Sequence, residues 1–523
     1  MAAALKKLIE NLPNLAESAD AEWSAACRQL DDAALESSEL PSVVQALLHL
    51  AQLCDMSGAS QRLSSERLWW TVLEKLWRAS PTAELARALD SSTIDGIMRV
   101  YRSLGPGSRA RHHLLRLLAT AGTRTALAAF AELVASDPPR KSEDAVLAFV
   151  PLFQRPDYPP DALFPRLLDA QDDAAIVTAV LDLANYLTAS GLTDRHPAAP
   201  RAARLVGLLG GLVGRLARLE EHPAEFAASP ADLNAIVSES TGLIVAIVNA
   251  LALIGEPSVT GKLHQALALG HRRVRTEAAF ALARLGDETG IEVLAQMATE
   301  PVVRACALAY LDELGKLDCA PEPYRTPAAR AEGELAARLA LPTYFGAPPQ
   351  ALELVDTSRR LWPGCPEPVD CYLFRYEYRA GERSMSGIGM AGPLAHAFQV
   401  DLADLPPDDI YAAYAGWGTE HPEISELEAD DLSPIQQAAW QSARQRLVEH
   451  DYHSPRLIKL GRFFGEEHFV AAAQWQERPG TAIVCGNQIE WHGHAGTPRS
   501  PGETEIYYLF KGRRLLRAFR RDA

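Results

Sequence analysis

Half of the fourteen histidines fall in the last third of the chain, at His396, His421, His450, His453, His468, His492 and His494. In an extended strand side chains alternate with a period of two, so His492 and His494 would place both rings on one face. Cys485, Glu490 or His468 would join them across a sheet, and sulfur, imidazole and carboxylate donors together are the ligand chemistry of zinc. The expected metal ligands are therefore His492, His494, Cys485 and Glu490. The alternative is that residues 491–498 form an exposed loop. His450-x-x-His453 falls just past a helix end, where a cation meets the helix dipole favourably.

Gly387-Ile388-Gly389-Met390-Ala391-Gly392 has the spacing of the dinucleotide fingerprint G-x-G-x-x-G. That fingerprint needs a strand before it, a helix directly after it and a βαβ unit around it. Here Pro393 follows at once and the preceding strand reads as one arm of a hairpin. Gly387, Gly389 and Gly392 are thus weak cofactor candidates, and a glycine-rich strand beside a ligand or another backbone is the competing reading. No cofactor is expected. The chain has no G-x-S-x-G, H-E-x-x-H or Walker loop, and none of its cysteines sits in a recognisable catalytic context. Catalytic groups can converge from distant positions, so an enzyme with a metal or ligand site in residues 366–523 stands as the alternative function, with its catalytic residues unknown.

These residues need a scaffold, and residues 366–523 read as α+β. Alternation predicts strands at 369–378, 385–390, 467–477, 481–491 and 503–510, with a hairpin turn at Arg478-Pro479-Gly480. Helices are expected from Pro406-Pro407 to about 415 and over 432–449, with Pro434 in the first turn. A last strand or helix is expected over 514–519. Glu420, Glu423, Glu426, Glu428, Asp430 and Asp431 form an acidic run that can cap the following helix or dock a partner. The tail carries Lys511, Arg513, Arg514, Arg517, Arg520 and Arg521, and the preferred reading pairs it with the acidic run of the same molecule.

Before residue 320 the pattern is helical and repetitive. Val274-Arg275-Thr276-Glu277-Ala278-Ala279-Phe280-Ala281-Leu282-Ala283-Arg284-Leu285-Gly286 aligns at one constant offset with the stretch from Val303-Arg304 through Leu311 and Leu314 to Gly315. A weaker copy ends at Leu253-Ile254-Gly255. Glycines about thirty residues apart mark stacked helical repeats. Each closing glycine suits the left-handed conformation that ends a helix, and Asp287 and Glu288 suit the start of the next. Helices at 109–119, 126–134, 143–153 and 174–187 continue the pattern towards the N-terminus. Gly207, Gly210, Gly211 and Gly214 sit at spacings that allow close helix approach. Trp69, Trp70 and Trp77 gather in helices expected over 43–53 and 68–77, as a cap for the repeat stack.

Residues 243–315 resemble HEAT-like repeats of the phycobilisome lyase type, on the V-R-x-x-A-x-x-A-L-x-x-L-G-D pattern at 274–287. The resemblance implies a right-handed α-solenoid. Such repeats serve bilin lyases, hydroxylases and plain scaffolds, so a bilin-handling protein is a further alternative. Repeat-built deoxyhypusine hydroxylases carry His-Glu pairs where this chain has Thr276-Glu277, so that activity is not implied.

The fold expected is mainly α: a HEAT-like solenoid over 1–320, a Pro-rich linker with a short helix over 321–365, and a small α+β domain over 366–523. A net charge of −16 argues against a general nucleic-acid binder. Seven scattered cysteines without C-x-x-C spacing suggest a reducing compartment. The N-terminus lacks a long apolar signal core, and the apolar run 243–254 is shorter than the roughly 20 residues that span a bilayer. The expectation is a cytoplasmic, non-enzymatic scaffold or adaptor that binds a protein partner, with no nucleic acid and no membrane.

Overall fold

The computed structural model describes residue 39, residues 42–46 and most of 89–519; within that span it leaves out 105–107, 109, 140–141, 155–156, 171–172, 381–382, 399, 401, 419–422 and 495–500. Apart from a helical turn at 42–46, the expected helices at 43–53 and 68–77, with their tryptophans, lie outside the described residues. The chain divides into two compact units, Met1–Val293 and Leu294–Ala523.

The first unit is helical. It contains α1 Ser91–Ser103, α2 Ala110–Ala121, α3 Arg124–Ser136, α4 Ser142–Gln154, α5 Ala174–Ala189, α6 Ala202–Glu221, α7 Pro230–Ile254, α8 Thr260–Leu267 and α9 Arg272–Arg284, and α10 Glu288–Met297 begins in it. Asp90, Thr123, Asp173 and Ser229 each accept a bond from a first-turn amide, which fixes where four of these helices start. Contacts run to the next helix in sequence, as from α2 to α3 and α6 to α7, and also to the next but one: α2 meets α4, α5 meets α7, and α7 meets α9. That is how an amphipathic helical pair, unable to bury its apolar face alone, covers it with a neighbouring pair.

The repeat glycines behave alike. Gly255, Gly286 and Gly315 have φ of 74°, 87° and 64°, the left-handed region that other residues avoid. In each copy the residue after the glycine donates back to a leucine carbonyl five positions earlier, Glu256 to Leu251, Asp287 to Leu282 and Lys316 to Leu311, at 3.1, 3.0 and 2.7 Å. Asp287 then accepts from the Thr289 amide at 3.0 Å and opens α10. At Gly290 a Cβ would lie 2.3 Å from the Ala279 carbonyl oxygen, so α10 crosses α9 at backbone contact.

Two expectations change here. Gly207, Gly211 and Gly214 face open space, and among the α6 glycines only Gly210 meets a neighbour, the Lys262 side chain; the spacing does not mark a close helix crossing. The apolar run at 243–254 belongs to the 25-residue α7, which is long and apolar enough to cross a membrane by length and composition. Its most apolar window is 61% buried inside the protein, with Ile244, Ile247, Val248 and Leu251 enclosed by neighbouring helices.

The second unit contains α11 Pro301–Glu313, α12 Pro327–Leu339, a sheet of β1 Ala351–Arg360, β2 Val369–Ala380, β3 Arg383–Ala391 and β4 His396–Ala397, and helix α13 Pro407–Gly418. Then come β5 Ile424–Glu428, α14 Pro434–Glu449, β6 His453–Phe463, β7 Glu466–Trp475, β8 Arg478–Cys485, β9 Gln488–Gly493 and α15 Glu503–Phe519. Both sheets are antiparallel with strands in sequence order. Alternation gives each sheet two apolar faces. Tyr372, Phe374 and Tyr376 lie against α12, while Cys371, Leu373, Ile388 and Met390 lie against α13 and α15. In the second sheet Phe469, Ala471, Ala482 and Val484 pack with Trp440, Ala443 and Leu447 of α14, and Val470 and Ile483 pack with Ile506 and Tyr507 of α15.

The segment expected as a linker with a short helix, 321–365, has that helix, but it is part of the folded unit rather than a linker. Its helix α12 seals one face of the first sheet, and Ala351–Arg360 is a strand of that sheet; its prolines stand at the first turn of α12 and in the loops. The turn expected at Arg478-Pro479-Gly480 falls at Gln476 and Glu477, both left-handed at φ 50° and 62°, so those three residues enter β8. The single strand expected over 481–491 is two, joined at Gly486-Asn487. The strand expected at 503–510 is the first half of α15.

Candidate functional site

Strand register decides which chemistry-bearing side chains meet. His468 pairs with Cys485, Cys485 with Gln488, Ile483 with Glu490, and Thr481 with His492. All of these share the face that α15 covers, because Ile483 on that face packs under Ile506 and Tyr507. Between this face and α15 opens a cleft of about 850 Å³, lined by Glu466, Cys485, Glu490, Phe510, Arg513 and Arg514 among others.

The four expected metal ligands divide among three places. Cys485 faces Glu466 and His468, and the ligand atoms of these three residues all lie within 4.8 Å of one another. Glu490 accepts from His492 at 2.7 Å and from Arg513 at 3.1 Å. The His492 bond, with Arg513 and Arg517 nearby, holds the Glu490 carboxyl below its usual range against the opposing effect of burial. His494 lies past β9 and meets the Thr481 hydroxyl at 3.1 Å. The expected quartet does not converge, because His494 has left the strand and Glu490 is taken by Arg513.

His468 is 1% exposed. Burial first, and Arg514 second, push its imidazole down to about 4. Its Nε2 lies 3.2 Å from Arg514 Nη1, and its Nδ1 has no hydrogen-bond partner among the described residues. Arg514 also pairs with Glu466. Arg513 is clasped by both oxygens of Asp409, at 2.9 and 2.8 Å.

The preferred pairing of basic tail with acidic run is seen at Glu426. Glu426 lies 3.5 Å from Lys511 and 2.9 Å from Lys459, two lysines that are 5% and 7% exposed. The ammonium groups of Lys459 and Lys511 sit over the Tyr507 and Tyr508 rings, 5.6 and 5.7 Å from the respective centroids. His450 caps α14 with its Nδ1 2.9 Å from the Arg446 carbonyl oxygen.

Gly387 and Gly389 lie in β3 and Gly392 just past its end; β3 pairs antiparallel with β2 and β4, with no helix directly after it. A Cβ at Gly387 would stand 2.4 Å from the Tyr376 hydroxyl, and one at Gly389 would stand 2.8 Å from Leu335. Gly387 and Gly389 leave room for an aromatic ring and for α12. Gly392 turns at φ 120° against the Asp370 carbonyl. These glycines do not form a dinucleotide cradle.

One cluster was missed. His396 stacks on Trp417 with ring centroids 3.6 Å apart, and its Nδ1 meets the Tyr344 hydroxyl at 2.7 Å. Burial pushes its imidazole down to about 4. In the sequence His396 is one of seven histidines in the last third, with no motif that ties it to Trp417 or Tyr344.

A family model of HEAT repeats matches residues 233–312, from α7 to α11. HEAT-like repeats are therefore present in this segment. Comparison with curated proteins finds no match. A solved structure titled "Lipid-protein interactions in lipovitellin" aligns over 85% of this chain and 49% of its own, at 13% identity and a TM-score of 0.23. The chain thus spans about half the length of that one, and a TM-score of 0.23 is too low to support a shared fold.

Proposed function

We propose that this protein is a non-enzymatic interaction scaffold or adaptor whose HEAT-like helices stack as an α-solenoid and hold a protein partner on their outer surface. The observation that carries the reading is the matched repeat block at 233–312, closed copy after copy by the same glycine turn. Stacked repeats present extended surfaces, and HEAT repeats commonly serve as such platforms. The bilin-handling reading has the repeat resemblance alone behind it.

The test is affinity capture with the full chain, wild type beside Arg272→Glu/Arg273→Glu, two exposed positions in the first turn of α9. A partner retained by wild type and lost in the charge reversal supports the proposal. The same captured set from both chains sinks it for this surface.

A further inference from the structure

We infer that Glu466, His468 and Cys485 form a transition-metal site, selective for zinc, whose remaining coordination position opens into the cleft beneath α15. Three observations carry this. The donor atoms, a carboxylate oxygen, an imidazole nitrogen and a thiol sulfur, already lie within 4.8 Å of one another. They come from neighbouring strands in fixed register, His468 directly opposite Cys485, so the backbone sets their separation. His468 is almost fully buried, and its Nε2 lies 3.8 Å from a Glu466 carboxylate oxygen, on the side of the ring that Arg514 now occupies.

Sulfur with imidazole selects zinc over magnesium or calcium, which prefer oxygen alone. Three protein ligands leave one position of a tetrahedral ion free. That position faces a cleft edged by Arg513, Arg514 and Arg517, so an anionic group is the exogenous ligand it would accept. Arg514 now rests against Glu466 and His468. Two cations cannot share that space, so metal entry turns the guanidinium outwards.

The site differs from the His492/His494 arrangement suggested by the sequence, and the experiment separates the two. The full chain is titrated with cobalt(II) and then competed with zinc. The expected result is one cobalt site with a thiolate-to-cobalt charge-transfer band, displaced by one equivalent of zinc. Cys485→Ser removes the band, and His468→Ala lowers zinc affinity at least ~100-fold, beyond the range seen for partners that only orient a ligand. His492→Ala and His494→Ala leave affinity unchanged. Arg514→Gln raises it, since the competing cation is gone, and this variant keeps the test alive if His468→Ala fails to fold. A band that survives Cys485→Ser, a site lost in His492→Ala, or no stoichiometric cobalt in wild type or Arg514→Gln overturns the assignment.

Discussion

At the scale of single residues, the buried ionisable groups give the sharpest expectations. An unfolded histidine titrates near 6.5, whereas burial holds His396 near 4. The folded state therefore resists a proton that the unfolded state accepts. Stability from this group is complete above about pH 6.5 and is lost as pH falls towards 4, by up to roughly 3 kcal/mol. In His396→Gln, denaturation midpoints measured from pH 7 to 4 should fall less steeply than in wild type; parallel curves would refute the assignment. Arg304 is a different case. It is 1% exposed and donates to the carbonyls of Ala298, Thr299 and Ala329, at 2.9, 3.3 and 2.7 Å, and to Glu332 at 2.6 Å. Removing it leaves those acceptors unmet, so Arg304→Ala should cost about 3–5 kcal/mol in thermal unfolding. Arg304→Lys should recover little, because an ammonium cannot span the same fork of acceptors.

At the scale of elements, glycine marks opposite situations. A Cβ on Gly512 of α15 would lie 1.5 Å from the Ala412 carbonyl oxygen of α13, and one on Gly416 would lie 1.9 Å from the Tyr508 oxygen. These two helices cross at backbone contact, and Gly512→Ala should lower stability by at least ~3 kcal/mol, the upper end of overpacking costs. Gly211 of α6 is exposed with nothing near it, so Gly211→Ala should raise stability by about 0.5–1 kcal/mol. Calorimetry on both variants tests the contrast. The same elements show what was legible beforehand. The repeat at 274–286 and 303–315 could be read because period and closing glycine agree, and the structure keeps both. The stretch Ile506-Tyr507-Tyr508-Leu509-Phe510 favours a strand locally, yet burial of Ile506, Tyr507 and Leu509 beneath two sheets makes it helical. The β7–β8 turn was misplaced because Gln476 and Glu477 adopt left-handed backbone without glycine. That shift also hid the site. Cys485 and His468 were both legible as donors, but that they meet each other and Glu466 is set by cross-strand register, which a sequence does not display.

At the scale of the whole molecule, α15 contributes to two cores at once. Leu509 and Leu516 complete the core of the first sheet and α13, and Ile506 and Tyr507 complete the face of the second. Every strand it covers comes earlier in the sequence. A ribosome therefore delivers both sheets before their shared lid, and Val470, Ile483, Ile388 and Met390 wait uncovered in the meantime. Until residue 519 clears the exit tunnel these apolar faces are expected to attract holdase chaperones. Nascent chains stalled so that 1–502 has emerged should retain bound chaperone and stay protease-sensitive across 366–494. Those stalled with 519 exposed should release it in a single step, because one helix closes both cores at once.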